Sequence, residues 1–171
     1  MRPLRDVLPT NANNVLYVFY DFQTTQYRTN SDTAKEHVPN HICVQHFCAS
    51  CELMGDVIID CERYGRRRHY FLNDPVGDLL TYFCEPRPWS SKIVAIAHNA
   101  KTFDLHFILN RVIMHKWKPE LNMNGLKIIS VKMEHLVFLD SVSFLTCAPR
   151  KLPEAIGLQA TKSWYPHYFS T

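Results

Sequence analysis

Long apolar runs are missing from this sequence. The longest, Val15 to Tyr20 and Ile93 to Ala97, fall far short of the ~20 residues a bilayer crossing requires, so no membrane partner is expected. Glycine is scarce as well, with five in 171 residues against ten prolines and nine histidines; connections should be turned by Pro, Asn and Asp rather than by a flexible linker. A charge excess of one sign is also lacking. The 19 Lys and Arg against 16 Asp and Glu leave +3, which excludes an acidic tail or a basic coat and restricts any nucleic-acid contact to a local patch. The N-terminus, Met1-Arg2-Pro3-Leu4-Arg5-Asp6, has no apolar core behind its charges, which argues against secretion. The six cysteines are therefore expected to be reduced thiols or metal ligands.

What is present is apolar and aromatic mass, 46% and 12% of the chain, enough for one sizeable core. Residues 1–13 read as a polar lead-in and 14–171 as one domain. Val15 to Tyr20 is apolar at every position and rich in β-branched and aromatic types, a buried central strand ending in Asp21. Further strands are expected over 42–47, 57–59, 69–72, 93–97, 126–131 and 136–139. Asp74-Pro75 opens a helix with Val76, Leu79, Leu80 and Phe83 on one face; Asp104 opens another with Leu105, Ile108, Leu109 and Val112. Strands first, then strands alternating with helices, give an α/β or α+β sheet.

Two aspartates stand at element boundaries behind buried runs, Asp21 after the first strand and Asp104 at a helix start. A carboxylate there is costly unless paired or bound to a cation. Taken singly, Asp104 reads as a helix N-cap and Asp21 as a strand-exit turn; the cation reading gains weight only with the motifs that surround them.

Asp21-Phe22-Gln23-Thr24-Thr25 and His98-Asn99-Ala100-Lys101-Thr102-Phe103-Asp104 resemble the first two exonuclease motifs of family B DNA polymerases, a DxE-type strand and an N-x-x-x-F-D helix start. Asp140-Ser141, Lys151-Leu152-Pro153 and Lys162-Ser163-Trp164-Tyr165-Pro166-His167 narrow the likeness to the protein-primed branch, the phage enzymes and the Maverick or Polinton transposons. The resemblance runs from about residue 15 to 171. It implies an RNase H-like (DEDD exonuclease) mixed sheet flanked by helices, 3′-to-5′ proofreading of single-stranded DNA with Mg²⁺ or Mn²⁺, and a site of DNA replication, nuclear or elsewhere inside the cell. It further implies Asp21 and Asp104 as metal ligands and Thr24, Asn99, Phe103 and Ser141 as residues gripping the 3′ end. Lys162 corresponds to a lysine that approaches the scissile phosphate; a solvated surface lysine is its other reading. His98 reads equally as a structural histidine or as a group near metal or DNA.

The departures bear on activity. Position 23 is Gln where the pattern has Glu, and an amide is a poor ligand for a hard cation. The third motif, Y-x-x-x-D, belongs downstream of Lys162, and the sequence stops at Thr171. No polymerase palm motif is present. With Asp21, Gln23, Asp104 and Lys162 as its catalytic positions, the expectation is an exonuclease-domain fragment of a polymerase, impaired in activity and completed by the remainder of a polymerase chain. A non-catalytic module binding nucleic acid or protein is the rival.

A Cys/His- and Arg-rich insertion is expected over about 41–70. His41, Cys43, His46, Cys48, Cys51 and Cys61 crowd it, and Cys48-Ala49-Ser50-Cys51 has the C-x-x-C spacing by which two thiolates share a zinc ion. Cys61 is followed three residues later by Tyr64 instead of a fourth cysteine, leaving His46 or His69 to complete a Cys48, Cys51, Cys61 site; a degenerate, metal-free knuckle is the alternative. Arg63, Arg66, Arg67, Arg68 and His69 form the one dense basic run, read either as a solvated hairpin tip or as a phosphate-tracking patch in which Arg66 and Arg67 contact DNA. Trp89, Trp117 and Trp164 are read as packing residues, and Phe107 as core.

Overall fold

The computed structural model describes residues 14–28, 35–54, 60–148, 151–155 and 157. Its frame is a seven-stranded mixed sheet, with strands β1 (Val15–Arg28), β2 (Lys35–Phe47), β5 (Arg68–Phe71), β6 (Lys92–Ala97), β7 (Glu120–Asn124), β8 (Lys127–Met133) and β9 (Leu136–Asp140) in the order β5-β2-β1-β6-β9-β8-β7. β1, β6 and β9 run parallel at the centre, and the antiparallel pairs flank them. A two-stranded ribbon, β3 (Asp60–Cys61) with β4 (Gly65–Arg66), and the short helix α1 (Ala49–Met54) project between β2 and β5. The helices α2 (Pro75–Cys84) and α3 (Asp104–Met114) pack on the sheet, and α4 (Leu152–Ala155) follows near the end of the described chain.

Apolar periodicity decides which face the helices cover. Leu16, Val18, Tyr20 and Phe22 alternate inward along β1 and meet Ile42 and Val44 of β2, Ala95 of β6 and Phe138 of β9. Val76, Leu79, Leu80 and Phe83 of α2 and Leu105, Ile108 and Val112 of α3 close over them, the faces read from their 3.6-residue period. This mixed α/β sheet agrees with the expected RNase H-like exonuclease architecture. Among the described residues, no helix is long and apolar enough to cross a membrane.

Two expectations change. β1 does not end at Asp21: it continues to Arg28, because β2 pairs with it from Tyr17 to Arg28, Asp21 opposite Cys43, with a bulge between Gln23 and Thr24. Nor is Val15 to Tyr20 buried on both sides, since Tyr17 and Phe19 are exposed on the face opposite the helices. β7 escaped the sequence reading because all five of its residues are exposed, and no alternation marks such a strand. Residues 57–59, expected as a strand, lie outside the described residues.

Candidate active site

Parallel pairing of β1 with β6 ends at Phe19–Ile96, and that of β6 with β9 ends at Ala97–Asp140. Asp21 follows the last β1–β6 pair within β1, Asp140 is the last paired residue of β9, and Asp104 stands after the 98–103 turn. The carboxyl ends of parallel strands are where an open α/β sheet leaves a crevice, because the chain there departs in different directions.

The turn that delivers Asp104 is tied down from β9. Asp140, 1% exposed, accepts hydrogen bonds from the backbone N–H of Val142 (2.9 Å) and of Lys101 (3.3 Å), with Lys101 Nζ at 3.9 Å. Asn99 takes a left-handed conformation (φ 62°) and its Oδ1 accepts from Thr102 Oγ1 at 2.9 Å, geometry that Asn tolerates better than most residues. Phe103 becomes the N-cap without a side-chain capping bond, and Asp104 is the first helical residue rather than the cap itself. Its carboxylate is thus placed in the positive field of the α3 N-terminus, yet it is only 9% exposed. Burial first, and then the negative charges of Asp21 and Asp140, push its carboxyl up to about 7. Tyr20 is buried, and burial first, then the negative charges of Asp104 and Asp140, drive its hydroxyl well above the ordinary range.

Asp21 is exposed, and Gln23, two residues along the same face of β1, donates Nε2–H to Asp21 Oδ2 at 2.8 Å. The amide therefore occupies one of the carboxylate lone pairs that a cation would use. Among the described residues, no three carboxylates bring oxygens within 4.8 Å of one another. Asp21, Asp104 and Asp140 therefore do not supply the acidic shell of a two-ion centre.

Beside the carboxylates, Thr24 Oγ1 shares a 3.2 Å hydrogen bond with His37 Nδ1, and the His37 ring lies 5.0 Å from that of Phe103, which is 47% exposed. The structure thus brings Thr24 and Phe103 together through His37, a residue absent from the sequence reading because nothing in the 35–40 stretch marked it; its role arises from strand pairing. Ser141 is buried, its hydroxyl joined to His98 Nδ1 at 2.9 Å, so it holds the 98–103 turn to β9. Lys162 lies outside the described residues.

The cysteine cluster is separate. Cys48, Cys51 and Cys61 converge, all buried, and could hold a metal ion. The structure does not bring His69 into this group: its Nε2 donates to the Arg66 carbonyl at 2.9 Å, and its ring packs against His46, Phe71 and Tyr82. Nor does His46 join it; that ring is fully buried, and burial followed by His69 lowers its pKa to about 3. Arg66 is exposed on β4, whereas Arg67 is buried with its guanidinium carbon 5.9 Å from the Phe47 ring centre. Burial thus takes Arg67 out of the exposed basic run expected to contact DNA, in which Arg66 and Arg68 remain. Trp89 stacks on Tyr64 (5.7 Å), Trp117 is tilted against His115 (5.6 Å), and Phe107 meets Phe22 edge-on (6.0 Å).

No family model matches this chain, and no curated protein does. Among solved structures its fold is similar to phi29 DNA polymerase complexed with primer-template DNA in a post-translocation binary complex, with a TM-score of 0.59 and 12% identity over 89% of this chain. A ternary complex of the same polymerase with primer-template DNA and incoming nucleotide substrates gives a TM-score of 0.58 and 12% identity over 96% of the chain. The chain spans about a quarter of those polymerases, 25% and 26%. At that identity the likeness is one of fold.

Proposed function

We propose that this chain is a polymerase-derived domain that binds the single-stranded 3′ end of DNA at the Asp21–Asp104 crevice and retains an impaired, metal-dependent 3′-to-5′ exonuclease activity. The observation that carries the reading is the buried Asp104 at the start of α3, behind a turn that Asp140 and Ser141 tie to β9, with the exposed Phe103–His37–Thr24 group next to it. The fold shared with a polymerase seen on primer-template DNA supports it.

Asp21 and Asp104 would hold Mg²⁺ or Mn²⁺, which when bound supplies positive charge to a phosphodiester oxygen. The chain's own residues do the rest. Phe103 offers an aromatic face to a terminal base, a sequence-tolerant contact. Thr24 and His37 present hydrogen-bonding groups to sugar or phosphate, which position without reading sequence. Asp140 and Ser141 act one step back, fixing the turn that carries Asn99, Phe103 and Asp104. Gln23 limits the chemistry, because it adds no charge to the cation site and ties up Asp21.

The test is degradation of a 5′-labelled single-stranded oligonucleotide with Mn²⁺, alongside anisotropy measurements of binding. Wild type is expected to trim slowly, Gln23→Glu faster by about tenfold or more, equivalent to ~1.4 kcal/mol of barrier, and Asp21→Ala not at all. Trimming that survives Asp21→Ala would overturn the assignment. The hydrogen bond from Gln23 to Asp21 favours a second reading, a non-catalytic DNA-binding module. Binding without trimming in all three proteins would establish that one instead.

A further inference from the structure

Three thiols meet far along the chain from the carboxylates, and nothing in the exonuclease reading uses them. Cys48 Sγ lies 3.9 Å from Cys51 Sγ and 3.8 Å from Cys61 Sγ, and all three sulfurs fall within 4.8 Å of one another. A tetrahedral zinc ion with Zn–S bonds of about 2.3 Å has S···S edges of about 3.8 Å, so two of the pairs already stand at the edge length of a zinc tetrahedron. The three are free thiols, not bonded to one another as disulfides.

The local chain explains the convergence. Cys51 N–H donates to the Cys48 carbonyl at 2.9 Å, a tight turn that brings both C-x-x-C side chains to one side. The β3–β4 ribbon then returns Cys61 to them across 13 residues of sequence. Phe47, Tyr64 and Trp89 wall the group off from water. Among the described residues no His, Asp or Glu and no fourth Cys joins the three. The Tyr64 hydroxyl does, 2.8 Å from Cys51 Sγ, at the place where a second C-x-x-C counted from Cys61 would put its last cysteine. Three apolar thiols buried by chance would be ordinary core; three that converge with two pairs at the tetrahedral edge length and a hydroxyl closing the remaining side form a ligand set.

We propose that Cys48, Cys51 and Cys61 bind a structural zinc ion as thiolates, with the Tyr64 hydroxyl covering the fourth corner and donating its hydrogen bond to the Cys51 sulfur. Binding displaces the three thiol protons to solvent. The ion cross-links the end of β2, α1 and the β3–β4 ribbon, fixing a segment that has little apolar core of its own. The site is independent of the carboxylate crevice and stands or falls without it.

The experiment uses the chain purified in reducing buffer without chelator, with zinc measured by elemental analysis and alkylation of each cysteine mapped by mass spectrometry. About one zinc per chain is expected, with Cys48, Cys51 and Cys61 protected from iodoacetamide until phenanthroline is added. Cys84, exposed on α2, should react throughout and serves as the internal control. Cobalt substitution should give thiolate charge-transfer absorption for three sulfurs, rising by about one third in Tyr64→Cys, where a fourth sulfur completes the tetrahedron. Less than about a tenth of a zinc per chain after incubation with equimolar Zn²⁺, or equal alkylation of the three cysteines with and without chelator, overturns the proposal. Absorption unchanged in Tyr64→Cys removes Tyr64 from the fourth corner. Because the decisive readings are made on wild type, a cysteine variant that fails to fold leaves the test intact.

Discussion

Asp104 sits where two demands conflict, because the core excludes water from it while the proposed cation site needs its charge. Its raised carboxyl holds a proton in the folded chain up to about pH 7, whereas the unfolded chain releases it near 4. Between those values the folded state binds more protons, so this group's contribution is fully present below about pH 4 and is lost as pH rises through 7. Asp104→Asn should abolish that slope and be the more stable protein at pH 8 by about 2 kcal/mol, taking roughly half of the ~1.4 kcal/mol per unit that the full shift would give. Urea unfolding at pH 5 and pH 8 checks this; a variant that keeps the wild-type slope would show that Asp104 is not the titrating group. His46 acts in the opposite direction. Its pKa lies near 3 and its ring nitrogens lack hydrogen-bond partners among the described residues, so its stabilising neutral state is lost as pH falls from about 6.5 toward 3. Asp21, Gln23 and Asp104 were legible as residue types in a pattern. The direction of the Asp104 shift was not, since burial is a property of the packed core.

At the scale of elements, α2 and α3 were both legible from apolar periodicity, and Asp74 from its place before Pro75. What Asp74 does beyond capping was hidden. It accepts from the Gly77 N–H at 3.2 Å and also pairs with Arg111 of α3, joining the two helices that cover the sheet. Asp74→Ala should lower stability by about 1–2 kcal/mol, through loss of the cap and of the cross-helix pair together. Gly77→Ala should also destabilise in spite of alanine's helix propensity, because a Cβ there runs into the Asp74 carboxylate. Thermal melts of both variants decide; an alanine at 77 that raises the melting temperature would show that the cap yields. β1 carries the converse lesson. Its first half reads as a strand from composition, while Gln23 to Arg28 is polar and extends only because β2 pairs with it.

For the whole molecule, a net charge of +3 leaves the proposed DNA binding to local positive groups. Arg66 and Arg68 are exposed on neighbouring strands, and Arg67 between them is buried. Alanine at both Arg66 and Arg68 should weaken single-stranded DNA binding and reduce the slope of log affinity against log salt by about 0.7 for each phosphate that the pair neutralises. Arg67→Ala should instead lower the melting temperature, because it empties packed space over Phe47. A double variant with unchanged affinity and salt slope would take the ribbon out of the DNA path.

The amino-acid pattern alone determined the sheet's apolar strands, the two amphipathic helices and the C-x-x-C turn. Each of these follows from local composition or from short-range spacing. Tertiary structure alone decided that Asp140 anchors the turn bearing Asp104, that His37 joins Thr24 to Phe103, that Arg67 is buried, and that Tyr64 rather than His69 stands beside the thiols. All four depend on strands, turns and loops that the sheet brings together from distant parts of the chain. A one-dimensional pattern records what each segment prefers, whereas the register between segments settles what each side chain meets.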